Sequence, residues 1–186
     1  VKIKPAGWFD VPGEQTGERT LAEQMRGLEA ALMLAKGKSV VDYGCAEGYI
    51  AREFVRAGAR YVAGYDNNPQ FIRRAAAIGE GSCYFEEVNL NNGVPVKLSD
   101  IVLALAVIHK LRHPEDAAHA MARAAREWMI VRLPLGSRGQ FTSKFGGRTC
   151  DLPAVMTESG FALDAELVGP RNELVQYWKR VQGNTV

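Results

Sequence analysis

An apolar stretch that stops abruptly in a turn of small residues constrains this chain more than any other feature. Val40-Val41-Asp42-Tyr43 has strand character, and Gly44-Cys45-Ala46-Glu47-Gly48 follows before a helix-forming segment begins. Further on, Gly64-Tyr65-Asp66 ends a second apolar strand on an acid. Strand, tight turn and helix in that order belong to parallel α/β folds, whose ligands gather beyond the carboxyl ends of the strands. Small residues let backbone approach a ligand closely, and an acid closing the next strand can hold ribose hydroxyls. The two segments together predict a nucleoside pocket.

The rest of the chain supplies the sheet this pocket needs. Strands are predicted over 39–43, 61–65, 83–88, 100–106 and 128–133, with helices over 47–56, 68–78 and 114–126 between them. Alternation with short connections implies a doubly wound, mostly parallel sheet of Rossmann-like α/β class. The stretch from Asp100 to Ala106 is apolar on both faces, as a central parallel strand must be. After a short helix near 152–159, two strands at 161–168 and 174–180 are joined only by Gly169-Pro170-Arg171-Asn172. So short a link makes them antiparallel neighbours, because a parallel return needs a longer crossover. Upstream, Leu21, Met25, Leu28, Leu32 and Leu34 fall near helical spacing. They predict one helix over 20–35, opened by a Thr20/Glu23 capping box and ended by Gly37.

The glycine spacing narrows the nucleoside. A dinucleotide fingerprint reads G-x-G-x-x-G so that pyrophosphate can sit on the helix N-terminus. Here the pattern is D-x-G-x-A-x-G over Asp42, Gly44, Ala46 and Gly48, a poor pyrophosphate cradle. The chain also lacks the G-x-x-x-x-G-K-[ST] loop that holds ATP phosphates.

With its surroundings, VVDYGCAEGYIAREFVRAGARYVAGYDNNP over 40–69 resembles the class I S-adenosylmethionine-dependent methyltransferases. The resemblance covers nearly the whole chain. It implies seven strands with helices on both faces, the C-terminal strand antiparallel, and S-adenosyl-L-methionine as cofactor with S-adenosyl-L-homocysteine as product. It gives Asp42 the methionine amino group, and Gly44, Cys45, Ala46 and Gly48 the backbone beside the methionine and ribose. Asp66 would take the ribose hydroxyls and Asn67 would lie beside the adenine. Asn89 and Leu90 would read that adenine, although Asn89, Asn91 and Asn92 also read as a plain turn. Ala104 and Leu105 would line the region near the sulfonium. Ala46 replaces a glycine found in many members, which is tolerable unless the position needs positive φ.

Methyl transfer from a sulfonium is an in-line displacement at carbon, so the protein chiefly aligns the acceptor and excludes water. A base is needed only if the nucleophile must lose a proton. His109, in the loop after the fourth strand, is the leading candidate for a general base or acceptor-positioning group. Arg132, ending the fifth strand, is a candidate to meet an anionic acceptor or else to pair with a carboxylate. His109 and His113 have the spacing of two helical metal ligands, but no third ligand accompanies them and no metal is expected. The loop 136–148 interleaves Arg138, Lys144 and Arg148 with Phe141 and Phe145. Such a loop suits a flat anionic or nucleobase substrate, or a solvated loop with its phenylalanines tucked in. Trp8, Phe9 and Arg19 are lid candidates in an N-terminal arm and helix, residues 1–36, ahead of a single domain over 37–186.

Composition sets outer bounds. A formal charge of +2 neither demands nor excludes nucleic acid, and no apolar run is long enough to span a membrane. Three dispersed cysteines argue against a disulfide framework and for a reducing cytoplasm. No signal peptide is legible, and a start at Val1 is compatible with a domain cut from a larger protein. A small-molecule acceptor is favoured; RNA such as transfer RNA, and a non-catalytic cofactor-binding regulatory module, are the alternatives. No feature of the sequence encodes the oligomeric state.

Overall fold

The computed structural model describes residues 7–78, 81–134 and 139–181. Its centre is a seven-stranded sheet. In chain order the strands of this sheet are β3 (Ser39–Tyr43), β4 (Tyr61–Asp66), β5 (Cys83–Glu87), β6 (Ser99–Leu105), β7 (Ala125–Pro134), β10 (Phe161–Val168) and β11 (Glu173–Arg180). In space they run β5-β4-β3-β6-β7-β11-β10. All neighbouring pairs from β5 to β7 are parallel, and β11 is antiparallel to both β7 and β10.

Period-two alternation distributes the side chains of the central strands. Val40, Ile101 and Leu103 enter a core on one face with Leu28, Ala31 and Phe54. Val41, Val102 and Ala104 enter a core on the other face with Met121, Leu152 and Met156. The first face is covered by α1 (Leu21–Met25), α2 (Glu29–Leu34), α3 (Tyr49–Arg56) and, beside α3, α4 (Pro69–Ile78). The second is covered by α5 (Pro114–Ala124) and α6 (Leu152–Glu158). A sheet apolar on both faces is stable only when both are covered, which explains the unbroken apolar reading of β3 and β6.

The chain first builds outward from β3 to β4 and β5, then returns to place β6 on the other side of β3. That reversal is a topological switch point, where the connections leaving two adjacent strands diverge and open a crevice. The Gly44–Gly48 turn leaves β3 at this crevice.

Two expectations are corrected, and a strand pair appears where none was predicted. The helix expected over 20–35 is two short ones, because Gly27 sits in the left-handed region at φ +81 between them. The N-cap itself holds, with the Glu23 amide donating to Thr20 Oγ1 at 3.1 Å. The stretch before Thr20 contains β1 (Gly7–Asp10) and β2 (Gly17–Thr20), which pair in parallel despite their short connection. Gly17 permits this, since a Cβ there would collide with the Phe9 carbonyl. Finally, the basic loop carries β8 (Gln140–Thr142), antiparallel to β9 (Thr149–Asp151). Arg138 lies outside the described residues.

Candidate active site

The turn after β3 winds through alternating left-handed residues: Gly44 at φ +82, Ala46 at φ +47 and Gly48 at φ +76. The small residues at these positions therefore answer a backbone requirement. Gly48 also packs tightly, for a Cβ there would lie 2.7 Å from Phe85 Cζ. Ala46 is the exception, since it holds a positive φ with a side chain. An L-residue in this region costs about 1–2 kcal/mol. Ala106, just after β6, repeats the pattern at φ +57. Two left-handed alanines thus line one crevice, and strain of this kind concentrates at binding sites.

Asp66 joins the turn to the next strand. Its Oδ2 accepts from the Ala46 amide at 3.0 Å and its Oδ1 from the Asn68 amide at 2.9 Å. It does not cap α4; Asn68 does, accepting from the amides of Gln70 at 2.9 Å and Phe71 at 3.4 Å. Burial raises the pKa of Asp66, opposed by the amides of Asn68, Ala46 and Asn67.

The crevice is a cleft of about 360 Å³. Of the residues singled out from sequence, Gly44, Ala46, Asp66, Asn67, Asn89, Leu90 and Leu105 line it together. Asp42, Cys45, Gly48 and Ala104 do not. Ala104 is buried in the sheet core, and the Cys45 thiol turns inward toward Gly64. Asn89 serves partly as a local cap, accepting from the Asn91 amide at 3.0 Å. Trp8 lines the cleft from the N-terminal arm, and its amide donates to Glu47 Oε1 at 2.7 Å.

A buried polar atom without a protein partner calls for another kind of partner, such as a water, an ion or a ligand group. Asp42 is almost wholly buried and its Oδ1 has no hydrogen-bond partner. Burial, then the neighbouring Asp66 charge, push its pKa up to about 7, with Arg132 opposing. Glu47 Oε2 is also buried without a partner. Asp42, lacking an ion-pair partner among the described residues, fits a ligand bearing a cationic amino group beneath the left-handed turn, whereas Glu47 already faces Arg74 at 3.7 Å. The Asp66 carboxylate at the cleft wall fits a ribose diol. The donor set therefore fits S-adenosylmethionine.

His109 and Arg132 are placed elsewhere. Arg132 is only 1% exposed and lines no described cavity. Its Nη1 donates to Gln24 Oε1 at 3.1 Å and its Nη2 to the Gln24 carbonyl at 2.6 Å, while Nε lies 3.7 Å from Glu173 Oε2. It anchors α1 to the sheet and sits beside the Glu173 carboxylate, the second of the two alternatives read from sequence, and it does not line the pockets where an acceptor would bind. His109 faces a second cavity of about 400 Å³, beside the first and sharing Ala106 and Lys110 with it. Its ring meets Phe141 edge-on at 6.4 Å, and Nδ1 is buried without a partner. Burial, then Lys110 and Lys144, lower its pKa to about 4.

Sequence reasoning missed Lys110, which lines both cavities and stands 5.2 Å from the Trp8 ring centroid. Its place beside His109 after the fourth strand was the available signal. Arg19 approaches the same indole at 4.8 Å. Trp8 is thus held between two cations rather than left free in a polar arm.

A family model described as a methyltransferase domain matches residues 17–180. The chain belongs to this methyltransferase family. Its fold is that of the class I S-adenosylmethionine-dependent members, as the 40–69 motif implied. A curated relative, ribosomal protein L11 methyltransferase of Neisseria meningitidis serogroup A, is 26% identical over 129 residues, covering 69% of this chain. The match spans 43% of that relative, so the chain corresponds to less than half of its length. Among solved structures, an S-adenosylmethionine-dependent methyltransferase from Mesorhizobium loti has TM-score 0.63 at 16% identity, covering 82% of this chain and 97% of that one. Magnesium protoporphyrin IX methyltransferase from Synechocystis, solved with its donor bound, has TM-score 0.67 at 17% identity, covering 82% and 76%.

Proposed function

We propose that this chain binds S-adenosylmethionine in the 360 Å³ cleft and transfers its methyl group to a small-molecule acceptor. One observation carries the reading. The left-handed turn after β3 and the Asp66 carboxylate meet across a 3.0 Å hydrogen bond at the wall of a cleft at the sheet's switch point. When bound, the donor supplies an activated methyl on a positive sulfonium. The chain's own contribution is binding and alignment. Asp42 offers a carboxylate oxygen to the amino group, and Asp66 accepts from the ribose hydroxyls. Asn67, Asn89 and Leu90 flank the adenine, and Leu105 lines the wall near the methyl. Trp8, held between Arg19 and Lys110 at the cleft wall, keeps water from the reacting carbon.

Relatives by name act on both a protein and a tetrapyrrole, so kinship alone does not select the acceptor. The small-molecule reading rests on the second cavity, whose volume suits a compact acceptor. Calorimetric titration with S-adenosylmethionine tests the shared premise. Asp66→Ala should weaken binding about ten-fold or more, the worth of hydrogen bonds to a charged group. Unchanged affinity in this variant would refute the cleft assignment. Tight donor binding with no transfer to any metabolite, protein or RNA offered would favour a regulatory module instead.

A further inference from the structure

The second cavity is unusual in its charge. Arg19, His109, Lys110, Lys144 and Arg171 face it, with Glu173 as the acidic residue. Two of these cations are already neutralised: Arg19 pairs with Glu173 at 3.2 Å and Arg171 with Glu23 at 3.0 Å. Lys110 and Lys144 form no ion pair with the described residues. His109 is more than nine-tenths buried, and its Nδ1 has no partner. Two lysines without ion-pair partners and the His109 imidazole thus line one half-open pocket, close enough for each lysine to disfavour protonation of His109. Groups that repel one another at a cavity wall are costly unless an anion sits among them.

We propose that this cavity is the acceptor pocket and that the acceptor carries a carboxylate or phosphate held by Lys110, Lys144 and the His109 ring. The inference rests on the donor reading above, because Ala106 and Lys110 line both cavities and bring the two ligands side by side. The Lys144 amide donates to the His109 carbonyl at 3.0 Å, and Ser143 Oγ donates to the Leu111 carbonyl. These bonds fix the β8–β9 loop against the segment after β6, so the lysine is positioned by backbone rather than merely tethered nearby. Lys144 is an acceptor-binding residue in this scheme. Lys110 is half-buried and Lys144 exposed at the rim of this pocket, whose volume of about 400 Å³ suits a small anion.

The test titrates the protein, saturated with S-adenosylhomocysteine, with inorganic phosphate and with benzoate beside its neutral counterpart benzamide. Calorimetry reads binding, and NMR follows the His109 ring, assigned through His109→Gln. Phosphate and benzoate should bind, benzamide should not, and the titration midpoint of His109 should rise when either anion is present. Lys144→Gln should weaken both anions about ten-fold, Lys144→Arg should restore most of the affinity, and both should bind S-adenosylhomocysteine as the wild type does. Binding of neither anion, equal binding of benzamide, or anion affinity unaltered by Lys144→Gln would overturn the proposal. So would transfer RNA that competes with phosphate for the cavity. Failure of S-adenosylhomocysteine to bind would instead strike the donor reading, and the anion titration on the free protein would then decide the pocket separately.

Discussion

Replacing Asp42 by asparagine tests how the buried acid beneath the glycine turn is held. Its pKa is raised from 3.8 to about 7, first by burial and then by Asp66, against the opposing Arg132. A carboxyl with a raised folded-state pKa contributes stability that is full below about pH 4 and is lost as pH climbs through about 7. A shift of about three units at ~1.36 kcal/mol each places the loss near 4 kcal/mol by about pH 8, of which roughly 2–3 kcal/mol falls between about pH 5 and pH 8. An amide side chain cannot ionise, so the Asp42→Asn protein should escape that loss. Urea denaturation of the ligand-free protein at the two pH values measures it. The stability of the variant relative to wild type should improve by roughly 2–3 kcal/mol from about pH 5 to about pH 8. Donor affinity should move the other way, falling about ten-fold or more near pH 8, because an amide replaces the carboxylate proposed to meet the amino group. Wild-type binding near pH 6 should also release protons, since a cation stabilises ionised Asp42, and calorimetry in buffers of different ionisation enthalpy reads this directly. Parallel pH–stability curves for the two proteins would refute the reasoning.

Two other perturbations separate strain from anchoring. Gly48→Ala puts a Cβ at φ +76 and 2.7 Å from Phe85 Cζ, and should cost about 2–4 kcal/mol of stability in a thermal or urea melt, with donor affinity reduced as well. Arg132→Met should destabilise the fold by about 3–5 kcal/mol, because the Gln24 groups and Glu173 lose their buried cation. Hydrogen exchange should show α1 losing protection first, as its tie to the sheet is severed.

The alternating sheet was legible because its signals are local. Each apolar strand of the core is closed by a turn residue, and the predicted strand limits fall within a residue or two of the observed ones for β3, β4, β5 and β6. The Gly169–Asn172 link was short enough to decide by length alone that β10 and β11 are antiparallel. The N-terminal region misled because helical spacing of leucines does not reveal that Gly27 turns left-handed between them. The parallel β1–β2 pair defied a length rule because Gly17 lets two backbones approach more closely than any side chain would allow.

By itself the sequence determined the sheet class, the turn after β3 and the acid at the end of β4, since each depends on residues adjacent along the chain. Only the tertiary structure decided that Ala46 needs positive φ, that Arg132 is spent on Gln24, and that His109 and Lys110 face a second cavity with Lys144. These facts depend on groups distant in sequence arriving at one place: Gln24 and Arg132 are 108 residues apart. Charge and burial act through space, and no spacing along the chain records which buried polar atom finds a protein partner and which does not.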